Sequence, residues 1–181
     1  MRKLHPNAKL ESSRVRYFYD TEFIENGRTI DLISIGVVAE DGREFYAIST
    51  EFDAGAAGPW VKRNVLPLLP PRSHAAWMSR AQMRDQLYDF LLPPGTTRRD
   101  WPELWAWLGA YDHVALAQLW GDMTKLPREI PHFTRELRQL WEMAGKPQLP
   151  EAPSKAHDAL VDARFNAVKY RLSMAALNKR T

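Results

Sequence analysis

The stretch from Val15 to Thr50 constrains the fold more than any other part of the chain. Three extended segments follow at short spacing: VRYFY, TIDLISIGVV and REFYAIS, with EDG supplying turn chemistry before the third. The middle of the second segment is apolar at consecutive positions. A strand with one wet face alternates apolar and polar residues, so this run needs cover on both faces and belongs near the centre of a sheet. Short connections make sequential strands antiparallel neighbours, and the chain therefore begins as an antiparallel meander at one side of a sheet.

Beyond Thr50 the texture changes. Residues 53–75 are rich in glycine and proline, with a short helix expected at WVKRNVLP. SRAQMRDQLYDFLL has helical spacing and stops at Pro93-Pro94-Gly95. ELWAWLGAYD reads as a fourth, buried strand with Asp112 at its end. HVALAQLWGDM and FTRELRQLWEMAG place apolar residues at helical intervals, the second closed by Gly145, and HDALVDARFNAVKYRLSMAAL is the longest helical pattern. Strands first, then helices mixed with a further strand, predict an α/β or α+β architecture, a single domain over residues 15–181. Residues 1–14 are polar and aperiodic and are expected to form a disordered leader.

Composition narrows the chemistry. The 181 residues include no cysteine, which excludes disulfides, thiolate nucleophiles and thiolate metal sites. No apolar run is long enough to span a bilayer, so a soluble, cytoplasmic protein with no membrane partner is expected. A net charge of +3 is too small to announce nucleic-acid binding from bulk charge alone. It suits an enzyme that holds a few phosphates locally beside an acidic pocket. Seven tryptophans point to a large aromatic core or a dimer interface.

Several carboxylates stand where their neighbours argue against them. In RYFYDTEFIE, aromatic residues run straight into Asp20, with Glu22 two positions on, and side chains at i and i+2 of a strand share a face. Asp112 ends an apolar run, and Asp162 lies inside a helical pattern between Val161 and Ala163, where aspartate competes with the helix backbone. Each has an ordinary reading as a solvated, turn-forming or helix-face residue, and Asp158 reads as the N-cap of the last helix. Taken together, acids from well-separated segments converge on one point only if cations offset their repulsion. Two divalent ions roughly 3.5–4 Å apart do this in phosphodiester-cleaving sites, and all-oxygen ligation favours Mg²⁺ or Mn²⁺ over zinc. His157, five residues before Asp162, lies at or before the first turn of that helix and supplies a general base. Phe23 is placed to stack a terminal base, with core packing as its ordinary reading, and the backbone around Thr21 and Phe23 to hold a terminal ribose.

These residues resemble an established pattern. DTE after an apolar strand, YD later in the chain and H-x4-D opening a C-terminal helix are the ordered motifs of the DEDDh 3′–5′ exonucleases, which include ribonuclease T and oligoribonuclease. YFYDTEFIE, LISIGVVAEDGREFYA, WAWLGAYDHVALAQLWG, FTRELRQLW and HDALVDAR are similar to the actinobacterial ribonuclease AS proteins, which prefer polyadenylate. The resemblance covers Val15 to Tyr170 and departs in LGAYD, where many relatives carry a longer, asparagine-containing motif; Asp112 is a better match there than Asp122. It implies a ribonuclease H-like fold, a mixed sheet with three antiparallel strands first and flanking helices. It further implies two Mg²⁺ ions on Asp20, Glu22, Asp112 and Asp162, His157 activating water, single-stranded RNA 3′ ends as substrate with AMP as product, and a homodimer. Two rival readings are an HD-type phosphohydrolase built on His157-Asp158 with His113 or His132, and a non-catalytic RNA-binding module on the same fold.

Overall fold

A computed structural model describes residues 14–180, so the expected leader over residues 1–14 lies almost wholly outside the described residues. The meander forms as the sequence predicts. Strands β1 (Arg16–Glu25), β2 (Ile30–Ala39) and β3 (Glu44–Ser49) pair antiparallel in sequence order. A two-residue strand β4 (Trp77–Met78) adds parallel to β3. On the other side β5 (Glu103–Ala106) pairs parallel with β1, and β6 (Arg135–Glu136) parallel with β5. The mixed sheet has six strands in the order β4-β3-β2-β1-β5-β6, which puts β1 and β2 at its centre.

Helices cover both faces, making the architecture α/β. Helix α1 (Pro59–Asn64) is the short helix expected at WVKRNVLP, and α2 (Arg80–Leu91) starts in a capping box between Ser79 and Gln82. Helices α3 (Ala110–Ala117), α4 (Leu137–Met143) and α5 (Ala159–Asn178) follow. Tyr17 and Tyr19 of β1 pack with Met83, Leu87 and Leu91 of α2 and with Ala115 and Leu116 of α3. Phe18, between them, points to the opposite face and packs with Leu137 of α4 and Ala167 and Tyr170 of α5. The strand period of two thus feeds two separate cores. Among the described residues no helix is long and apolar enough to cross a membrane.

Three expectations are corrected. Strand β1 continues to Glu25, so Asp20 and Glu22 stand within the strand and not at its end. The ELWAWLGAYD strand stops at Ala106, and Asp112 lies in the first turn of α3. The break has a local cause: Leu108 adopts φ 58°, and the Glu136 carboxylate accepts hydrogen bonds from the Leu108 and Gly109 N–H groups, drawing the chain out of the strand. Helix α4 is also shorter than FTRELRQLWEMAG suggests, because Arg135 and Glu136 pair as β6, although it closes as expected at Gly145 with φ 81°. Finally, most of the tryptophans are spent within the chain. Trp105 is buried against Tyr170, Trp77 stacks on Phe52 and Trp107 meets Trp141, leaving Trp60 as the exposed one.

Candidate active site

The site is built on the junction of β1, β2 and the start of α5. Asp20 pairs in register with Gly36 of β2. A Cβ at Gly36 would lie 2.3 Å from the Ala159 carbonyl oxygen, so glycine alone lets the first turn of α5 sit directly on the sheet beside Asp20. One turn further along, the buried Asn166 donates its Nδ2–H to the Tyr19 carbonyl at 3.0 Å, fixing the helix to the residue before Asp20. A register shift between Glu22 and Phe23 then bends the strand. Such bulges re-aim side chains next to functional sites.

The opening of α5 brings two groups over this floor. Asp158 caps the helix as the sequence predicts, accepting from the N–H groups of Leu160 at 3.0 Å and Val161 at 3.2 Å. Asp162, in the first turn, lies at the positive end of the helix dipole. Its Oδ2 accepts a 2.7 Å hydrogen bond from the His157 N–H. That bond closes the tight turn in which His157 takes φ 75°, and it fixes a residue five positions upstream beside its partner. The His157 ring meets Trp60 of α1 edge-on, with centroids 4.7 Å apart.

Asp112 arrives from the other side. Its Oδ1 accepts from both the N–H and the hydroxyl of Thr21, at 2.8 and 2.7 Å. The Thr21 amide N–H, part of the backbone expected to hold the ribose, is thus engaged with Asp112, as is its hydroxyl. The Glu136 brace on Leu108 and Gly109 sets the start of α3 and hence the position of Asp112.

Asp20, Glu22, Asp112, His157 and Asp162 all line one cavity of about 620 Å³. Glu22, His157 and Asp162 offer ligand atoms that all lie within 4.8 Å of one another, and Asp20 and Asp112 flank that trio. Burial raises all four carboxyls, and repulsion within the cluster adds to it at Asp20 and Glu22. Burial, followed by repulsion from Asp112, Glu22 and Asp162, holds Asp20 well above the usual carboxylate range, although it remains reachable from the cavity. Burial, with repulsion from Asp162, Asp112 and Asp158, pushes Glu22 up to about 8. Burial lifts Asp112 to about 6, while the two hydrogen bonds from Thr21 hold it down. Asp162 is raised by burial and restrained by the His157 N–H. A donor set of clustered carboxylate oxygens and an imidazole, destabilised in its ionised form, suits divalent cations.

The mouth of the cavity is aromatic. Phe23 stacks on Tyr111 with ring planes 9° apart, and Trp60, Leu108 and Tyr111 are each about half exposed. Phe23 is thus at the cavity wall rather than in the core. Among the described residues Lys169 is the only lysine or arginine lining the cavity. Arg98, Arg99, Arg135 and Arg138 do not line it: Arg98 covers Trp101, Arg135 pairs with Glu103 and Arg138 with Glu142. Gly36, Asn166, Glu136 and Lys169 escaped the sequence reading. Only the spacing of Asp162, Asn166 and Lys169 at i, i+4 and i+7 on one helix face signalled any of them.

The rival built on His113 and His132 loses its premise. His113 is engaged with Thr134, neither histidine lines the cavity, and the mixed sheet is not the all-helical fold that reading requires.

Comparison with known proteins agrees with this geometry. The "3′–5′ exoribonuclease Rv2179c-like domain" family matches residues 15–174. Two proteins of Mycobacterium tuberculosis, the 3′–5′ exoribonucleases Rv2179c of strain H37Rv and MT2234.1 of strain CDC 1551, are each 63% identical to this chain over 158 residues. The match covers 87% of this chain and 92% of each relative. The chain belongs to the Rv2179c-like 3′–5′ exoribonuclease family.

Proposed function

We propose that this exoribonuclease removes nucleotides from the 3′ end of single-stranded RNA as nucleoside 5′-monophosphates, using two divalent ions held by Asp20, Glu22, Asp112 and Asp162. The observation that carries the reading is the gathering of four carboxylates from β1, α3 and α5 at one cavity, all raised by burial and Asp20 and Glu22 further by repulsion from the others. Bound Mg²⁺, or Mn²⁺ in its place, supplies the positive charge that offsets this repulsion and stabilises the phosphodiester as it is displaced.

The chain's own groups do the rest. His157 accepts a proton from the attacking water; the water oxygen bonds to phosphorus, and the bond to the 3′ oxygen of the penultimate nucleotide breaks. The hydrogen bond from the His157 backbone N–H to Asp162 fixes its main chain, and the Trp60 ring packs edge-on against the imidazole. Phe23 and Tyr111 offer a flat apolar platform for the terminal base. Adenylate-rich 3′ ends are the preferred substrate, with AMP as product, on the strength of the resemblance to ribonuclease AS.

The sheet order, with β2 antiparallel to its neighbours, supports a ribonuclease H-like fold of the DEDDh type over residues 15–181. A homodimer is supported by the exposed apolar side chains Phe133 and Met143. A cytoplasmic location fits the absence of cysteine. A time course on 3′-labelled and 5′-labelled homopolymers, with EDTA, Mg²⁺ or Mn²⁺, tests the reading. The 3′ label is expected to appear at once as mononucleotide, fastest from polyadenylate and only with a divalent ion. Full-rate cleavage in EDTA, or release of the 5′ label first, would overturn it.

A further inference from the structure

Among the described residues Lys169 is the one lysine or arginine lining the cavity, and the proposed chemistry leaves it unused. It stands on the face of α5 that carries Asp162 and Asn166. Its Nζ donates to Asn166 Oδ1 at 3.0 Å and, among the described residues, pairs with no carboxylate. The ammonium lies over the rings of Trp107 and Phe165, at 4.6 and 4.7 Å from their centroids. Three restraints therefore keep a positive charge beside the acids without letting it occupy their ligand oxygens. Asp20 and Asp162 are the carboxylates that feel it. Asn166 in turn is tied to the Tyr19 carbonyl, so the lysine and Asp20 are held by one continuous network.

We propose that Lys169 is an internal counter-cation of the carboxylate cluster, positioned to weaken the affinity of that cluster for divalent ions. A fixed positive charge relieves repulsion among the acids and at the same time repels an incoming dication. Evolution of the site toward tightest ion binding would have placed a neutral residue here. A lysine instead leaves the ions exchangeable and gives the emptied cluster a partner. The inference rests on the two-ion reading above.

The test is calorimetric titration of EDTA-treated, dialysed full-length protein with Mn²⁺ at one fixed pH, comparing wild type with Lys169→Met, Lys169→Gln and Lys169→Arg. Both neutral variants are expected to bind Mn²⁺ about tenfold more tightly, while Lys169→Arg stays within about twofold of wild type. Methionine and glutamine differ in shape and polarity, so one folded neutral variant suffices. Equal or weaker binding by the neutral variants, with wild type binding normally, would overturn the role of Lys169 and leave the two-ion reading intact. Absence of Mn²⁺ binding by wild type would overturn both.

Discussion

At the floor of the cavity, Asp20 and Glu22 stand on a strand paired with β2 along most of its length, beneath a helix whose backbone touches Gly36. At the rim, His157 stands outside any helix or strand, at positive φ, held by a backbone hydrogen bond to Asp162 and by the ring of Trp60. The floor holds groups that repel one another, and only sheet pairing and direct helix–sheet contact fix them against that repulsion. The rim carries the group proposed to exchange a proton and meet the substrate, held by a backbone hydrogen bond and one ring contact. Changes at the floor therefore alter ion binding and stability together. Changes at the rim alter rate and leave the fold alone.

The comparison is broken most sharply by Asp20→Asn. This change removes one charge from the floor and is expected to lower the rate of mononucleotide release by at least about 10⁴-fold, more than about 5 kcal/mol of transition-state stabilisation. The EDTA-treated variant melts no lower than wild type, because a neutral amide needs neither a bound proton nor a buried charge among the acids. Loss of the fold in thermal melts would move Asp20 from chemistry to structure. His157→Ala comes next, with a fall of about 10²–10⁴-fold in kcat, the range for general-base catalysis, and Mn²⁺-induced stabilisation preserved. Disappearance of that stabilisation would make His157 an ion ligand, a role its distance to Glu22 and Asp162 also permits.

Gly36→Ala probes the floor without touching an acid. Its Cβ would meet the Ala159 carbonyl, so α5 has to lift, at a cost of roughly 1–3 kcal/mol typical of overpacked cores, read as a drop in melting temperature. Activity falls with it, since Asp162 moves with the helix. Unchanged melting would show that the helix is free to slide there. Trp60→Ala is the smallest: kcat drops about tenfold, stability stays within about 0.5 kcal/mol, and a stability loss beyond that would place Trp60 in the fold rather than at the rim.

What the sequence disclosed follows physical lines. The second strand was legible because a strand covered on both faces writes an unbroken apolar run, and the first and third because they flank it at short spacing. The acids were legible because each is out of place in its own segment. Asp158 announced itself as a cap. The strand β6 and the start of α3 were not legible. ELWAWLGAYD is a continuous apolar run that suits strand and helix alike, and the break at Leu108 is set by Glu136, far along the chain. Two-residue strands such as β4 carry no period at all. Gly36, Asn166 and Lys169 derive their roles from the approach of α5 to β1 and β2, a tertiary event that local pattern does not encode.

The central claim, that repelling acids are gathered at the floor for divalent ions, is tested most directly by melting temperature against pH in EDTA and in Mn²⁺. Glu22 is raised from 4.5 to about 8 and Asp112 from 3.8 to about 6, so the folded, ion-free protein holds protons that the unfolded chain releases. Their contribution to stability is complete below the unfolded values and is lost as pH rises through the folded ones. The melting temperature in EDTA is thus predicted to fall between about pH 5 and pH 8.5, with the gap opened by Mn²⁺ widening over the same interval. A melting temperature in EDTA that holds level or rises across that interval, with no added stability from Mn²⁺, would contradict the account.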